Sequence, residues 1–375
     1  MTHMVYPGAL HTRFHHALGA MHLMSLAVET LKSKGISISP EEEEGALIAI
    51  LLHDIGHGPF SHSLERSLVE GVSHEHISTM LMQELNQTFH GALTLAVDIF
   101  QNRHPKHYLH QLVSSQLDTD RMDYLNRDSF FTGVSEGVIS FDRILKMLNV
   151  VDNELVVEEK GIYSIEKFLI ARRLMYWQVY LHKTVISAEY MLVKVLARAK
   201  YLALKGVDVF ATPALAHFLT RHVDRNSFED DPMHLQLFVA LDDTDIQSAI
   251  KVWANSEDQV LRMLCSNILK RHLNRVEISS TMPGDQLLND LKSKTMLRFN
   301  LNEQEASYLV YRATISNSAY DLGHGSISIL MKDGSVQDIT QASDLANLET
   351  LSKKVQKNII SYPKEVLGEP TLRYL

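Results

Sequence analysis

Apolar residues recur every three to four positions along most of the chain, which is the spacing of amphipathic helices. The first such stretch covers residues 12–34, and Gly35 follows it as a candidate C-terminal cap. The second begins at Ser39, a suitable N-cap, with Pro40 in the first helical position. It carries an apolar run, 46–52, and reaches about Asp54. The same pattern predicts further helices at 61–69, 73–85, 93–100, 108–115, 120–128, 164–204, 212–221, 231–240, 243–253, 256–270 and 344–354.

Strand patterns are few. Two valine-rich runs flank Asp152-Asn153, a hairpin signature, and a strand–turn–strand pattern lies at 326–340. The sequence therefore predicts a mostly α fold: a helical bundle with a β-hairpin inserted at about 148–163 and a smaller C-terminal α+β region. We expect a catalytic helical domain over 1–205 and a C-terminal region over 206–375.

Composition adds the expected compartment. The 375 residues are 45% hydrophobic, enough for a large core. The single cysteine, Cys265, excludes an internal disulfide and fits a reducing compartment. No signal-peptide pattern and no run of membrane-spanning length is visible. We therefore expect a cytoplasmic protein with no membrane partner.

The charge and histidine content bear on function. A net charge of −9 disfavours a general nucleic-acid binder, which normally has a basic surface. A polyanionic small substrate is still allowed, because a few arginines in one cleft set the local field. Twenty histidines is a high count, and many lie in the first 76 residues, which suggests chemistry there.

The apolar run 46–52 leads directly into His53 and Asp54, and Gly56, Gly58 and Pro59 then end the helix. A buried imidazole beside a buried carboxylate is costly unless both have partners, and metal ions are common partners of such pairs. The alternative is an ordinary core helix whose histidines are satisfied by hydrogen bonds. The dipeptide alone favours that alternative.

Two other stretches reverse the weighting: Arg13 to Gly19, which contains two histidines, and Asp118 to Tyr124, which contains three aspartates. Both lie on apolar-periodic helices, so they can converge with His53-Asp54. Two imidazole nitrogens and two carboxylate oxygens suit Mn, Fe, Co, Ni or Zn with open positions for water or phosphate. A closed structural zinc site would use cysteine instead.

The segments "YPGALHTRFHHALG", "HDIGHGPFSH", "SHEH", "LDTDRMDYLNRDSFFTGV" and "ARRLMYWQVYLHKTV" resemble the HD superfamily of metal-dependent phosphohydrolases. The match is closest to the dNTP triphosphohydrolases, the branch that includes the mammalian SAM-and-HD-domain dNTPase and its bacterial relatives. It is strong over about 5–200 and weaker to about 275. The resemblance implies hydrolysis of dNTPs at the α-phosphorus, giving a deoxynucleoside and tripolyphosphate.

The resemblance also implies roles for individual residues. It assigns one divalent transition metal (Mn, Fe, Ni, Co or Zn) to His16, His53, Asp54 and Asp120, and Mg²⁺ is allowed on the substrate phosphates. It assigns catalysis to His57, His62, His74 and Glu65, with His62 as the acid that protonates the leaving oxygen. It assigns phosphate contacts to Arg13, Arg172, Tyr180 and Lys183, and sugar contacts to Tyr124 and Asp128.

The expected partner is a dNTP, and relatives suggest a homo-oligomer, either a dimer or a tetramer. Three alternatives stay open from the sequence. One is an HD phosphohydrolase acting on another nucleotide or phosphate ester. A second is a nucleotide-binding regulator without turnover. A third is a single-stranded nucleic-acid binder or nuclease, which the acidic balance does not favour.

Overall fold

The fold is mostly α, as predicted. The computed structural model describes residues 1–60, 67–317, 320, 325–345 and 355–368, and in that part of the chain seventeen α-helices form. They are α1 Arg13–Ser33, α2 Pro40–Leu52, α3 His74–Thr88, α4 Thr94–Phe100, α5 His107–Val113, α6 Thr119–Thr132, α7 Phe141–Met147, α8 Ile162–Met175, α9 Lys183–Leu204, α10 Pro213–Leu219, α11 Arg225–Asp230, α12 Pro232–Val239, α13 Asp243–Trp253, α14 Gln259–Leu269, α15 Asp285–Phe299, α16 Glu303–Leu309 and α17 Ile339–Ala342.

The first two helices begin where capping residues stand. The Thr12 hydroxyl accepts a hydrogen bond from the backbone N–H of His15 at the start of α1. Ser39 and Glu42 cap α2 reciprocally, with Pro40 in the first turn. These caps satisfy backbone donors that would otherwise be left open, so both helix starts are encoded locally.

The predicted hairpin is present, and two further strands extend its sheet. Strands β2 Leu148–Val151 and β3 Glu154–Glu158 are joined by Asp152 and Asn153, both with positive φ (49° and 69°), as a tight hairpin turn requires. Strands β7 Ser328–Leu330 and β8 Val336–Asp338 extend this sheet in the order β2-β3-β7-β8, with β3 and β7 parallel. A C-terminal segment therefore completes a sheet begun in the N-terminal half.

A three-stranded antiparallel sheet was not predicted. It contains β5 Arg275–Ser279, β6 Tyr311–Asn317 and β9 Val355–Tyr362 in the order β5-β9-β6. The strands are far apart in sequence and lack tight turns between them, so local patterns gave no signal. A two-stranded parallel pair, β1 Val69–Glu70 and β4 Val223–Asp224, was also missed.

Two predicted helices lie largely outside the described residues, and a third is interrupted. The helix predicted over 61–69 falls largely on 61–66, outside the described residues, and Val69 lies in strand β1 instead. Most of the helix predicted over 344–354 also lies outside them. The single helix predicted over 164–204 is wrong. It is interrupted by a π-helix at Tyr176–Tyr180, after which His182 caps α9. No proline or glycine marks that interruption in the sequence.

The interior contains two large apolar clusters. One joins α1, α2, α6 and α8, and Ile327 and Ile329 from the C-terminal part also pack into it. The other lies around α9 and α10–α14 and includes Ile360 of β9. The domain boundary expected at residue 205 stays a prediction. None of the described helices combines the length and apolarity needed to cross a membrane.

A glycine sets the turn that follows α2. A Cβ on Gly56 would lie 2.2 Å from the carbonyl oxygen of His74 and 2.3 Å from the backbone nitrogen of Ser78, so the turn lies directly on the backbone of α3. The Ser78 hydroxyl accepts from Gly56 N–H at 2.9 Å and donates to the His53 carbonyl at 2.8 Å. This contact fixes the end of α2.

Replacing Gly56 with alanine should therefore destabilise the fold. We expect Gly56→Ala to lower the free energy of unfolding by about 1–3 kcal/mol, because the clashing atoms are backbone atoms that cannot rotate away. Gly284→Ala is the matched control, since nothing lies within 4 Å of its added Cβ. Urea denaturation measures both. A Gly56→Ala midpoint equal to that of Gly284→Ala would contradict the proposed packing.

Candidate metal centre

Three helices bring His16, His53 and Asp120 to one point. His16 Nε2 lies 3.0 Å from Asp120 Oδ1, and His53 Nε2 lies 3.6 Å from the same oxygen. One ligand atom from each residue falls within 4.8 Å of the others. These side chains come from α1, the end of α2 and the first turn of α6, so the predicted convergence of distant stretches occurs.

The outer nitrogens of both imidazoles are already occupied. His16 Nδ1 donates to Asp123 Oδ2 at 2.7 Å, and His53 Nδ1 donates to the Ile50 carbonyl at 2.6 Å. Each bond directs Nε2 toward Asp120, so that an ion displacing a proton there would meet both Nε2 lone pairs. This is the usual arrangement of metal-binding histidines, whose second nitrogen is held by a carboxylate or a carbonyl.

A buried imidazole nitrogen of this group has no hydrogen-bond partner among the described residues. His53 is 8% exposed, and its Nε2 has no hydrogen-bond partner among the described residues, since 3.6 Å to Asp120 is too long. An orphaned imidazole nitrogen beside a second imidazole and a carboxylate fits a divalent metal ion. The residues present therefore suit such an ion, and the donor set does not choose among Mn, Fe, Co, Ni and Zn.

Without an ion, protons balance the charge at this point. Burial alone would lower the pKa of His16, but its bonds to Asp120 and Asp123 outweigh burial and raise it to about 10. Burial alone would raise the pKa of Asp120, yet His16 and His53 hold it well below its usual value. The group is therefore built to hold positive charge against a partly buried carboxylate.

A second layer holds His16 in place. Arg127 donates to both oxygens of Asp123, each at 2.8 Å, while Asp123 also accepts from His16. A Cβ on Gly19 would lie 2.0 Å from an Asp123 oxygen and 2.1 Å from an Arg127 nitrogen. The glycine in the motif around His16 thus leaves room for this ion pair.

The fourth predicted ligand, Asp54, lies at the edge of the group. Its Oδ1 is 3.5 Å from His53 Nε2 and 3.4 Å from His57 Nε2, and its Oδ2 accepts from Arg13 at 2.6 Å. Burial would raise the pKa of Asp54, but the adjacent histidines and Arg13 lower it. Asp54 as a ligand and Arg13 as a phosphate contact both stay predictions.

Two of the four predicted catalytic residues lie beside this centre. The rings of His57 and His74 stack with centroids 3.7 Å apart, and burial lowers the pKa of His57. His57 is therefore mainly neutral at neutral pH. The other two, His62 and Glu65, lie outside the described residues.

A cleft of about 920 Å³ opens from the centre. Its walls include five of the six predicted substrate contacts, namely Arg13, Tyr124, Asp128, Arg172 and Tyr180. The sixth, Lys183, is the exposed first residue of α9 and is absent from the described lining. Its contact with substrate stays a prediction that this arrangement does not favour.

Sequence reasoning overlooked two arginines that line the cleft, Arg121 and Arg127. Arg121 directly follows Asp120, lines the cleft and pairs with Asp118, which also caps α6. The buried Arg172 lies in the same cleft and donates to Gln116 Oε1 at 3.0 Å. No signal in the sequence marks Arg121 as a cleft residue, because adjacent positions on a helix face different directions.

Part of the cleft lining is aromatic, and residues from the C-terminal half also contribute to it. The Tyr180 ring meets the Tyr124 and Tyr176 rings edge-on, at 6.2 Å and 5.1 Å. Thr314, Ile315 and Ser316 of β6 also line the cleft. The π-helix and the missed sheet therefore shape the ligand cavity.

Comparisons with known proteins show which families and proteins this chain is similar to. A family model described as the HD domain matches residues 13–128, and one described as the HD associated region matches 139–209. The chain is 31% identical over 386 residues to the uncharacterized protein YwfO of Bacillus subtilis, covering 99% of this chain and 85% of that protein. It is 31% identical over 210 residues to a deoxynucleoside triphosphate triphosphohydrolase SAMHD1 homolog of Dictyostelium discoideum, covering 51% of this chain and 41% of that protein.

Two solved structures are also similar to this chain. A crystal structure of a phosphohydrolase from Bacteroides thetaiotaomicron superposes with a TM-score of 0.93 at 51% identity, covering 96% of this chain and 90% of that one. A hypothetical protein from Aquifex aeolicus superposes with a TM-score of 0.69 at 25% identity, covering 97% and 87%.

Removing His53 should abolish metal binding. We expect His53→Ala to bind far less than the roughly one ion per chain expected of the wild type, because a three-donor group loses a nitrogen. Elemental analysis after dialysis measures the bound metal. His22→Ala is the control, since His22 is exposed on α1. Stoichiometric metal in His53→Ala would remove His53 from the ligand set.

Metal binding should also release protons. The pKa of His16 is raised to about 10, so at about pH 7.5 its imidazole is protonated until an ion displaces the proton. Affinity should then rise with pH across the neutral range. Calorimetry in buffers of different ionisation enthalpy counts the protons, and we expect at least about one per ion. Binding with no proton release would contradict the assigned charge state.

Proposed function

Because this chain belongs to the HD-domain phosphohydrolase family, we propose that it hydrolyses deoxynucleoside triphosphates to a deoxynucleoside and tripolyphosphate. The observation that carries the proposal is the direct opening of the His16–His53–Asp120 group into a cleft lined by arginines and tyrosines. A metal-dependent hydrolase of this family needs an ion site within reach of its scissile phosphate. In this cleft, arginines and tyrosines line the same space as the His16–His53–Asp120 group.

A divalent ion bound by this group, with Asp54 as an added ligand, would polarise a phosphate oxygen and activate water. The protein supplies a hydrogen bond to the Nδ1 atom of each imidazole, which orients its Nε2 atom toward the ion site. Asp123 and the Ile50 carbonyl hold His16 and His53 by their Nδ1 atoms. The donors are thus oriented before any substrate arrives, which avoids reorganisation during reaction.

The cations along the cleft favour a triphosphate as the bound ligand. Arg121 and Arg172 line it, and guanidinium groups bind phosphate oxygens with paired donors. Arg172 is buried, and its Nε has no partner among the described residues. A buried guanidinium with an open donor is well placed to meet an anion, and we assign it to the phosphates together with Arg13.

Proton transfer is assigned to the histidines. His57 Nε2 lies 3.4 Å from Asp54 Oδ1, and its ring stacks on that of His74. Both imidazoles would donate hydrogen bonds to phosphoryl oxygens as charge develops. His74 Nε2 lies 3.3 Å from a Glu75 oxygen. The proton for the leaving 5′ oxygen is assigned to His62 with Glu65, as the resemblance implies.

Selection of deoxyribose is assigned to the tyrosine wall. Tyr124 is half-buried beside Tyr180, and Tyr180 donates to Asp128 at 2.6 Å. A ring fixed against the sugar leaves little room for a 2′-hydroxyl, and Asp128 offers an acceptor to the remaining hydroxyl. A homo-oligomer, dimer or tetramer, and a cytoplasmic location stay predictions.

The product identifies the reaction. Incubating the protein with each dNTP and Mn²⁺ should yield tripolyphosphate and deoxynucleoside, because attack at the α-phosphorus frees the chain of three phosphates intact. Anion-exchange chromatography resolves the products. His16→Ala serves as the inactive control, and the four ribonucleotides test the sugar preference.

Other products would overturn the proposal in distinct ways. Monophosphate and pyrophosphate would mean that a different bond is cleaved. Turnover of other phosphate esters alone would mean a different substrate, and nucleotide binding without turnover would indicate a regulator.

A further inference from the structure

Two side chains hold the carboxylate of Asp128, one on each oxygen. Tyr180 donates its hydroxyl to Oδ2 at 2.6 Å, and His11 Nε2 lies 2.7 Å from Oδ1. Burial and the nearby Asp128 raise the pKa of Tyr180 well above its usual value, so its hydroxyl keeps the proton and acts as the donor. All three residues line the cleft.

His11 is itself firmly placed. Its ring stacks on Phe131, with centroids 4.6 Å apart and planes 25° from parallel. A Cβ on Gly8 would lie 2.6 Å from the Phe131 carbonyl oxygen, so the segment before α1 runs against the last turn of α6. Tyr6 ties the same segment to the π-helix by donating to the Gln178 carbonyl at 2.7 Å.

This arrangement fixes an acceptor before a ligand binds. A carboxylate has about four acceptor positions, and His11 and Tyr180 each use one. With both oxygens held, the carboxylate cannot turn freely, so its remaining positions keep a set direction toward the cleft. A ligand hydroxyl then meets an ordered acceptor and avoids the entropy cost of ordering it.

We infer that His11 is a positioning residue that holds Asp128 in the orientation that accepts a hydrogen bond from the 3′-hydroxyl of a bound nucleotide. The inference rests on the proposed function, in which Asp128 contacts the sugar. It adds that sugar recognition depends on a histidine outside the phosphate and metal machinery. His11 would act through Asp128 and would not touch the reacting atoms.

The test compares a dNTP with its 2′,3′-dideoxy counterpart, which lacks the 3′-hydroxyl. Dissociation constants are measured by calorimetry on the full chain after chelation of metal, so that no turnover occurs. The wild type should bind the dNTP more tightly. His11→Phe keeps an aromatic ring for the Phe131 stack but loses the donor, and should reduce that preference by about tenfold, the worth of one charge-assisted hydrogen bond.

Two further variants separate positioning from folding. His11→Gln can place an amide N–H near the former Nε2 and should restore most of the preference, whereas His11→Asn is too short to reach Asp128 and should not. This pair carries the test if His11→Phe fails to fold. His22→Phe, at an exposed site on α1, is the control and should retain the wild-type preference.

Each contrary result has a defined meaning. An unchanged preference in a folded His11→Phe or His11→Asn would overturn the inference, and so would an equal loss in His11→Gln. A wild type without preference for the 3′-hydroxyl would overturn it while leaving dNTP hydrolysis intact. A wild type with the preference but without tripolyphosphate release would refute the proposed function alone.

Discussion

The structure depends on one electrostatic constraint: the partly buried carboxylate of Asp120 lies between two imidazoles. A buried charge without compensation is strongly unfavourable. Here His16 and His53 supply the compensation when protonated, and a divalent cation would supply it more completely. The constraint fixes where α1, the end of α2 and α6 must meet, and the rest of the site is arranged around that point.

Local devices allow those helices to approach. Gly19 leaves space for the Asp123–Arg127 pair behind His16, and Gly56 lets the turn after α2 lie on the backbone of α3. Ser78 then links that turn to the His53 carbonyl. These contacts make the positions of the imidazoles a property of backbone packing. At the edge of the site, the carboxylate of Asp54 is shared among His53, His57 and Arg13.

The sequence predicted the parts of the site that are encoded locally. Periodicity located α1 and the cap at Ser39 located the start of α2. Three stretches on apolar-periodic helices were predicted to converge, and the family resemblance selected His16, His53 and Asp120 within them. The hairpin at Asp152-Asn153 followed from its turn residues. The backbone structure behind part of the cleft lining could not be predicted in this way. It depends on β6, whose partner strands are distant in sequence, and on a π-helix that no proline or glycine marks. Arg121 was overlooked because a cation on a helix is usually solvated, and only the structure shows that it lines the cleft.

The central claim is that His16, His53 and Asp120 share one divalent ion. Anomalous diffraction from crystals soaked with Mn²⁺, recorded on both sides of the manganese absorption edge, tests it most directly. The account predicts one strong peak within coordination distance, about 2.0–2.3 Å, of both Nε2 atoms and an Asp120 oxygen. A peak elsewhere, or no peak at this point while the protein binds manganese in solution, would contradict it.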